Sequence, residues 1–419
     1  MSSVKANIAI TGIGVVSPLG ISYSELSRRY TNSEVAFQQL ADLSTQDDLP
    51  SVGAPIKSLC HPVGYPPHLF KRLDRASQYA VSAFSQAWSD EHESYFSKDR
   101  VGVIFSTGIG GLSTITTQVQ SLNLHGARRV SPHTVSAAMH SAPAANLSLL
   151  SQSHGWVESP SSACSGGAQS ILRSLELLEG GQIDVAICGA SEAILNRFGI
   201  AAFSAMNVIP RSHGLPIDQI CKPLDKSSRG FLLGDSSVVL ILERTSTAVA
   251  RDAHIFGTIR SASVTFDCHD LVSPAPKGIY AAQSMNLALN AAGLQPSDID
   301  LVKAHATGTQ AGDCAEATAI HTVFRDTSPA LFPSICAPKA LLGHCISASG
   351  PLELICALVS LDKRIVPAHH YLSDPISELL FSPPKASVPL ALRSEAKGLA
   401  LLNTFGFGGT NVSIVLESA

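Results

Sequence analysis

Ser161-Ser162-Ala163-Cys164-Ser165-Gly166-Gly167-Ala168 is followed by Ile171, Leu172, Leu175 and Leu178, apolar residues at helical spacing. The stretch therefore predicts a thiol set at the start of a buried helix. Unpaired backbone N–H groups and the positive end of the helix dipole at such a place favour thiolate over thiol. The two glycines are expected to leave space beside the sulfur for a substrate. A lone buried cysteine can equally be a small hydrophobe, so the reading depends on what else the chain brings to it.

Working outward, short apolar runs alternate with helical patterns. Val101 to Phe105 reads as a strand, Asp184 to Cys188 as another, Ala281 to Ala292 as a helix closed by Gly293, and Leu301 to Ala304 as a strand. Such alternation predicts an α/β layered fold. Gly234-Asp235-Ser236-Ser237-Val238-Val239-Leu240-Ile241-Leu242-Glu243 resembles Gly409-Thr410-Asn411-Val412-Ser413-Ile414-Val415-Leu416-Glu417, which suggests two similar halves. The boundary falls near Thr245 to His254, giving an N-terminal half at 1–250 and a C-terminal half at 251–419. Cys164 and the small-residue run Ser347 to Gly350 each precede a helix, at comparable places in the two halves.

Two further segments carry histidines. Lys303-Ala304-His305-Ala306-Thr307-Gly308-Thr309, with Gly312-Asp313 and Glu316 beyond it, places His305 where a strand breaks into a turn. Pro338-Lys339-Ala340-Leu341-Leu342-Gly343-His344 places a second histidine before the small-residue run. Strand-to-loop junctions are good places from which to aim a donor at a ligand. These segments, with Asn403-Thr404-Phe405-Gly406-Phe407-Gly408-Gly409-Thr410-Asn411 and the opening Ile8 to Gly20, resemble β-ketoacyl-acyl-carrier-protein synthases with a Cys-His-His triad. The likeness spans essentially the whole chain.

What that resemblance implies is a thiolase fold, two similar halves in a layered αβαβα structure, and a decarboxylative condensation. Cys164 would accept an acyl group, and His305 and His344 would act as neutral N–H donors to a malonyl thioester. The backbone N–H groups of Cys164 and Phe407 would form the oxyanion hole, with Phe407 also a gate. Lys339 would orient the histidines while paired with Glu316, and Asp313 would support them. Thr307 and Thr309 would bind the pantetheine arm, and Ile109 and Phe405 would line the substrate pocket. His305-Ala306-Thr307-Gly308-Thr309 stands where His-Gly-Thr-Ser-Thr is common, and Ser347-Ala348-Ser349-Gly350 where Gly-Ala-Ala-Gly is usual, so a polyketide or polyene pathway competes with fatty-acid elongation. A chain-length-factor-type silent subunit is the first alternative, opposed by the presence of all three residues. A coenzyme A-dependent thiolase-fold acyltransferase is the second, opposed by the lack of a cysteine in the Phe407 segment.

Composition agrees with an enzyme that buries much of its surface. Charged residues make up 15% and apolar residues 45% of the 419-residue chain, which points to extensive core and subunit contacts. The expected partners are an acyl carrier protein and either an identical or a homologous subunit. A formal net charge of −4 argues against a nucleic-acid surface. Lys71, Arg72, Arg75, Arg128, Arg129 and Arg211 are candidates for docking an acidic carrier. Nine cysteines without a C-x-x-C pair suit neither a disulfide framework nor a zinc site. No tightly bound cofactor, no membrane span and a cytoplasmic location are expected. Ser44 to Pro67 reads as a surface excursion.

Overall fold

The computed structural model describes residues 2–40, 49–59, 61–62, 65–210, 216, 220–395 and 397–419. Residues 44–48, 60, 63 and 64 of the 44–67 excursion, and Arg211, lie outside the described residues. Ten strands form the central sheet: β1 (Ser2–Val16), β2 (Val101–Ser106), β3 (Val157–Glu158), β4 (Val185–Glu192), β5 (Ser236–Arg244), β6 (Gly257–Phe266), β7 (Leu301–Lys303), β8 (Ser334–Cys336), β9 (Leu399–Gly406) and β10 (Thr410–Ser418). Their spatial order is β8-β7-β9-β10-β6-β1-β5-β4-β2-β3.

That order contains a duplication. Read from the centre, β1-β5-β4-β2-β3 is matched strand for strand by β6-β10-β9-β7-β8, and the two fives join through the antiparallel β1–β6 pair. In each five the two inner pairings are antiparallel and the two outer ones parallel. The sequence likeness of β5 and β10 is thus a topological equivalence.

Six helices complete the layers: α1 (Arg75–Ala87), α2 (Ala142–Ser151), α3 (Gly166–Glu179), α4 (Ile279–Ala292), α5 (Gln310–Phe324) and α6 (Ser349–Lys363). Strand periodicity shows why five layers result, because alternate side chains leave opposite faces. Along β5, Val238, Leu240 and Leu242 join a core with Ile171, Leu175 and Leu178 of α3 and Leu352, Ile355 and Leu358 of α6. Val239 and Ile241 point the other way, onto Tyr79, Ala80, Ala83 and Phe84 of α1. Likewise Val412, Ile414 and Leu416 of β10 face the central helices, and Val415 faces Met285, Ala288 and Leu289 of α4. Each such side chain contributes roughly 1.5–3 kcal/mol when fully buried. The helix pair α3 and α6 is therefore the middle layer, and each of the two is entered through a short turn.

Those turns are equivalent as well. A 3₁₀ turn at Ala163–Ser165 leads into α3, and one at Ile346–Ala348 leads into α6. Their first residues, Ala163 and Ile346, have φ of 49° and 46°, a left-handed conformation that costs a residue with a Cβ on the order of 1 kcal/mol or more. The strain ends each entering segment sharply and turns the next side chain up between the halves.

Candidate active site

Cys164 is the second residue of its turn and is 5% exposed. Gly166 and Gly167 do not provide the substrate space expected of them. A Cβ on Gly166 would stand 2.3 Å from Ser106 Oγ and 2.7 Å from Ser347 Oγ, and one on Gly167 would stand 2.4 Å from the Ser347 carbonyl. The glycines exist so that the two helix-start turns can touch across the pseudo-twofold axis. Space for a ligand lies on the other side of the sulfur, in a cavity lined by Cys164, His305, His344, Thr307, Thr309, Phe405, Phe407 and Glu316, among others.

The expected thiolate is also corrected. Burial pushes the Cys164 thiol up to about 12, against the lowering influence of Lys339 and of the Phe407 and Cys164 backbone N–H groups. A helix dipole supplies at most ~2 kcal/mol, about one and a half pKa units, while full burial shifts a group by up to roughly 3–5. Burial wins, and the resting sulfur is a thiol. Its ionisation must then depend on a base, and His344 Nε2 stands 3.1 Å from Cys164 Sγ.

His344 follows a short helix and Gly343, and its backbone is held by the carbonyl of Leu232, to which its N–H donates at 2.7 Å. Phe231 presses edge-on against the imidazole, with ring centroids 5.0 Å apart. His305 follows β7, and its ring lies 5.7 Å from that of His344 at 86°. Burial, with Lys339 as the next cause, holds both imidazoles well below their ordinary value, so both are neutral.

Lys339 is fully buried behind His305, and its three protons are all placed. They go to Glu353 Oε1 at 2.6 Å, to the His305 carbonyl at 2.6 Å and to His305 Nδ1 at 3.3 Å. With Nδ1 accepting, the single ring proton of neutral His305 belongs on Nε2. The pairing of Lys339 with Glu316 is not found. Glu316 instead accepts from the backbone N–H groups of His305 and Ala306, each at 2.7 Å, and from Asn403 Nδ2 at 3.2 Å. Two adjacent amides at a strained residue, Ala306 with φ 33°, are a better match for one carboxylate than a distant ammonium.

The carboxylate that does bind Lys339 is Glu353, in the second turn of α6, and it is shared with a second buried lysine, Lys303 of β7, at 2.8 Å. Lys303 also donates to the Asn403 carbonyl. Sequence reading missed both residues. The available signal was a single Glu353 inside the otherwise apolar Pro351-Leu352-Glu353-Leu354-Ile355-Cys356, since a carboxylate in so apolar a helix must find a cation or hydrogen-bond donors elsewhere.

Among the other expected residues, Asp313 is buried and accepts from the N–H groups of Leu224 at 2.6 Å and Gly308 at 3.0 Å. It shapes the loop and does not enter the cavity lining. The Thr307 and Thr309 hydroxyls lie 3.0 Å apart on the cavity wall. Phe405 tilts against His305, with centroids 5.6 Å apart. Ile109 packs against the cluster of Cys164, Leu112, Phe203, Phe231 and Ile346 and is not part of that cavity's lining. Phe407 occupies the turn between β9 and β10, where Gly408 and Gly409 have φ of 84° and 79°.

Replacing His344, the nitrogen partner of the sulfur, should expose the buried thiol's own titration. In His344→Ala the alkylation of Cys164 by iodoacetamide should fall at least ~100-fold at pH 7, a loss typical for a general base. It should then climb about tenfold per pH unit up to pH 10, because a thiol at about 12 remains mostly protonated throughout that range. A plateau near pH 8.5 in that variant would show an unperturbed thiol.

A five-layer αβαβα body that brings a cysteine and two neutral histidines into one cavity defines a thiolase-fold condensing enzyme of the Cys-His-His type. Comparison with known families agrees: the profile for the beta-ketoacyl synthase N-terminal domain matches residues 5–248, and that for the C-terminal domain matches residues 256–373. The chain belongs to the β-ketoacyl synthase family. It is 30% identical to the 3-oxoacyl-[acyl-carrier-protein] synthase 2 of Mycobacterium leprae, covering 97% of this chain and 96% of that one. In structure it is similar to a chain of a type II polyketide synthase acyl-carrier protein in complex with its ketosynthase bound to the hexaketide, with TM-score 0.87, 20% identity, and coverage of 99% and 100%. It is also similar to a chain of the ishigamide ketosynthase/chain length factor, with TM-score 0.87, 22% identity, and coverage of 99% and 100%.

Proposed function

We propose that the chain condenses an acyl group held on Cys164 with a malonyl thioester to give a 3-oxoacyl thioester on a carrier protein. The single observation that carries this is the cavity in which Cys164 Sγ and His344 Nε2 lie 3.1 Å apart, with the His305 ring alongside.

In the first half-reaction the Cys164 proton passes to His344 Nε2 as sulfur attacks the acyl carbonyl of a pantetheine thioester. The backbone N–H groups of Cys164 and Phe407, which bear on the sulfur, receive the developing oxyanion. The carrier thiolate leaves with the proton from His344. In the second, His305 and His344 donate N–H bonds to the malonyl thioester oxygen while carbon dioxide departs, and the resulting carbanion attacks the acyl-enzyme, expelling the Cys164 thiolate, which takes up a proton from water. Because both imidazoles are neutral, they stabilise the enolate without repelling each other. Lys339 positions His305, Thr307 and Thr309 hold the pantetheine arm, Phe405 and Phe407 border the malonyl side, Ile109 lines the acyl pocket, and Glu316 and Asp313 hold the His305 loop.

The active site forms where halves 1–250 and 251–419 meet. The carrier docks at the basic Lys71, Arg72 and Arg75, which border a groove with Ser131 and His133. A homologous or identical subunit covers the flank at β3, whose outer edge is unpaired and whose neighbours Trp156, Leu149 and Val135 are exposed. The two solved complexes favour a polyketide or polyene pathway, with a carrier protein and a chain-length-factor-type subunit as partners. Substrates arrive on the carrier, so no tightly bound cofactor is required. A nucleophile that must stay reduced suits a reducing cytoplasm, and no described helix is long and apolar enough to cross a membrane.

The test supplies acyl-carrier and malonyl-carrier proteins together. The reading requires 3-oxoacyl-carrier protein and carbon dioxide in equal amounts; acyl transfer to coenzyme A without carbon dioxide would overturn it.

A further inference from the structure

The Ser349 hydroxyl, the first side chain of α6, lies 3.0 Å from His344 Nδ1 and accepts from the Cys345 N–H at 2.9 Å. Ser349 is 1% exposed, and it stands at a position where alanine is the commoner residue of the family wording. A methyl group there could offer His344 nothing. A hydroxyl offers two things, because its oxygen can accept a second hydrogen bond or its proton can be donated.

This matters because His344 has two tasks with opposite requirements. To take the thiol proton, Nε2 must be bare, so the ring proton must sit on Nδ1. To donate to the malonyl oxygen, Nε2 must carry the proton. We propose that Ser349 is a positioning residue that accommodates both tautomers of His344, its oxygen accepting from Nδ1–H for acyl transfer and its hydroxyl donating to bare Nδ1 for decarboxylation. The proposal deepens the condensing reading and rests on it. Protons balance: the Cys164 proton goes to Nε2 and leaves with the departing carrier thiolate, the neutral ring exchanges its remaining proton with water between half-reactions, and the Cys164 thiolate expelled in the second takes one proton from water.

Among the described residues no other group is hydrogen-bonded to Nδ1. The titratable and charged groups acting on His344 are Cys164 at Nε2, His305 beside the ring, and Lys339 and Lys303 behind it. Lys339 has all three protons committed elsewhere, and Lys303 donates to Glu353 and the Asn403 carbonyl. Without Ser349 Oγ, an Nδ1–H would be an orphaned buried donor, which proteins tolerate less well than an orphaned acceptor. The base-competent tautomer is the one that suffers.

The experiment compares wild type, Ser349→Ala and Ser349→Thr, each checked for an unchanged melting temperature. Two rates are read: iodoacetamide alkylation of Cys164 across pH 6–10, and carbon dioxide release from malonyl-carrier protein. In Ser349→Ala, alkylation at pH 7 should drop about 10- to 100-fold, as for a weakened general base, and approach wild type at high pH. Decarboxylation should stay within about threefold. Ser349→Thr, which keeps the hydroxyl, should restore alkylation. Unchanged alkylation in Ser349→Ala, or equal loss of both rates, overturns the proposal whether or not the threonine variant folds. If wild type shows the Ser349-dependent alkylation but never condenses, the condensing reading fails and the Ser349–His344 coupling stands.

Discussion

Cys164→Ala is expected to fold normally and to form no 3-oxoacyl product, a loss of at least ~1,000-fold that matches removal of a covalent nucleophile. The substitution deletes one sulfur from a tightly packed turn, so its stability cost should be small, about 1 kcal/mol. The two imidazoles, Lys339 and the cavity remain. Release of carbon dioxide from malonyl-carrier protein should therefore persist in this variant, uncoupled from bond formation. Product formation comparable to wild type would place the acyl group elsewhere and end the assignment of Cys164.

Glu353→Leu is the second change with a large expected effect, and it acts on folding as much as on rate. Glu353 is the shared counter-ion of Lys303 and Lys339, all three essentially without solvent contact. Removing one partner of a buried ion pair costs roughly 3–5 kcal/mol, because an uncompensated charge is left behind, and here two ammonium groups lose their anion together. One of them must deprotonate or draw in water. If Lys339 does so, His305 Nδ1 loses the donor that fixes its tautomer, and decarboxylation falls with stability. The expected result is a folded fraction that drops sharply under urea concentrations harmless to wild type, with carbon dioxide release reduced ~100-fold in whatever remains folded. Glu316→Gln offers a useful contrast, because the side-chain oxygen of glutamine can still accept from one of the two backbone amides. A Glu353→Leu protein as stable as wild type would contradict the role of Glu353 as the shared counter-ion of the two lysines.

The cysteine and the two histidines that the structure gathers in one cavity were legible before the fold was known. Cys164, His305 and His344 each stand in a local context, a helix start or a strand end, that short-range sequence describes well. The duplication was legible for the same reason, since β5 and β10 repeat both their glycine turn and their apolar run. What escaped was anything set by three-dimensional proximity. The partner of Lys339 is fourteen residues away along the chain, and that of Lys303 is fifty, so spacing alone could not separate Glu353 from Glu316. The role of Gly166 and Gly167 was misread because a helix-start glycine can admit a ligand or a neighbouring helix, and only packing decides. The state of the sulfur was misread because the helix dipole is visible in sequence and burial is not. The hydroxyl of Ser349 was noticed only as a departure from the usual wording; its contact with Nδ1 gives that departure a chemical meaning.

Mass spectrometry of the chain after incubation with an acyl-carrier protein, on wild type and on His305→Ala side by side, tests the division of labour most directly. The account predicts one acyl adduct, on the peptide containing Cys164, formed at similar rates in both proteins, with carbon dioxide release lost only in His305→Ala. An adduct on any other residue, or an acylation rate that falls together with decarboxylation in the histidine variant, would contradict it.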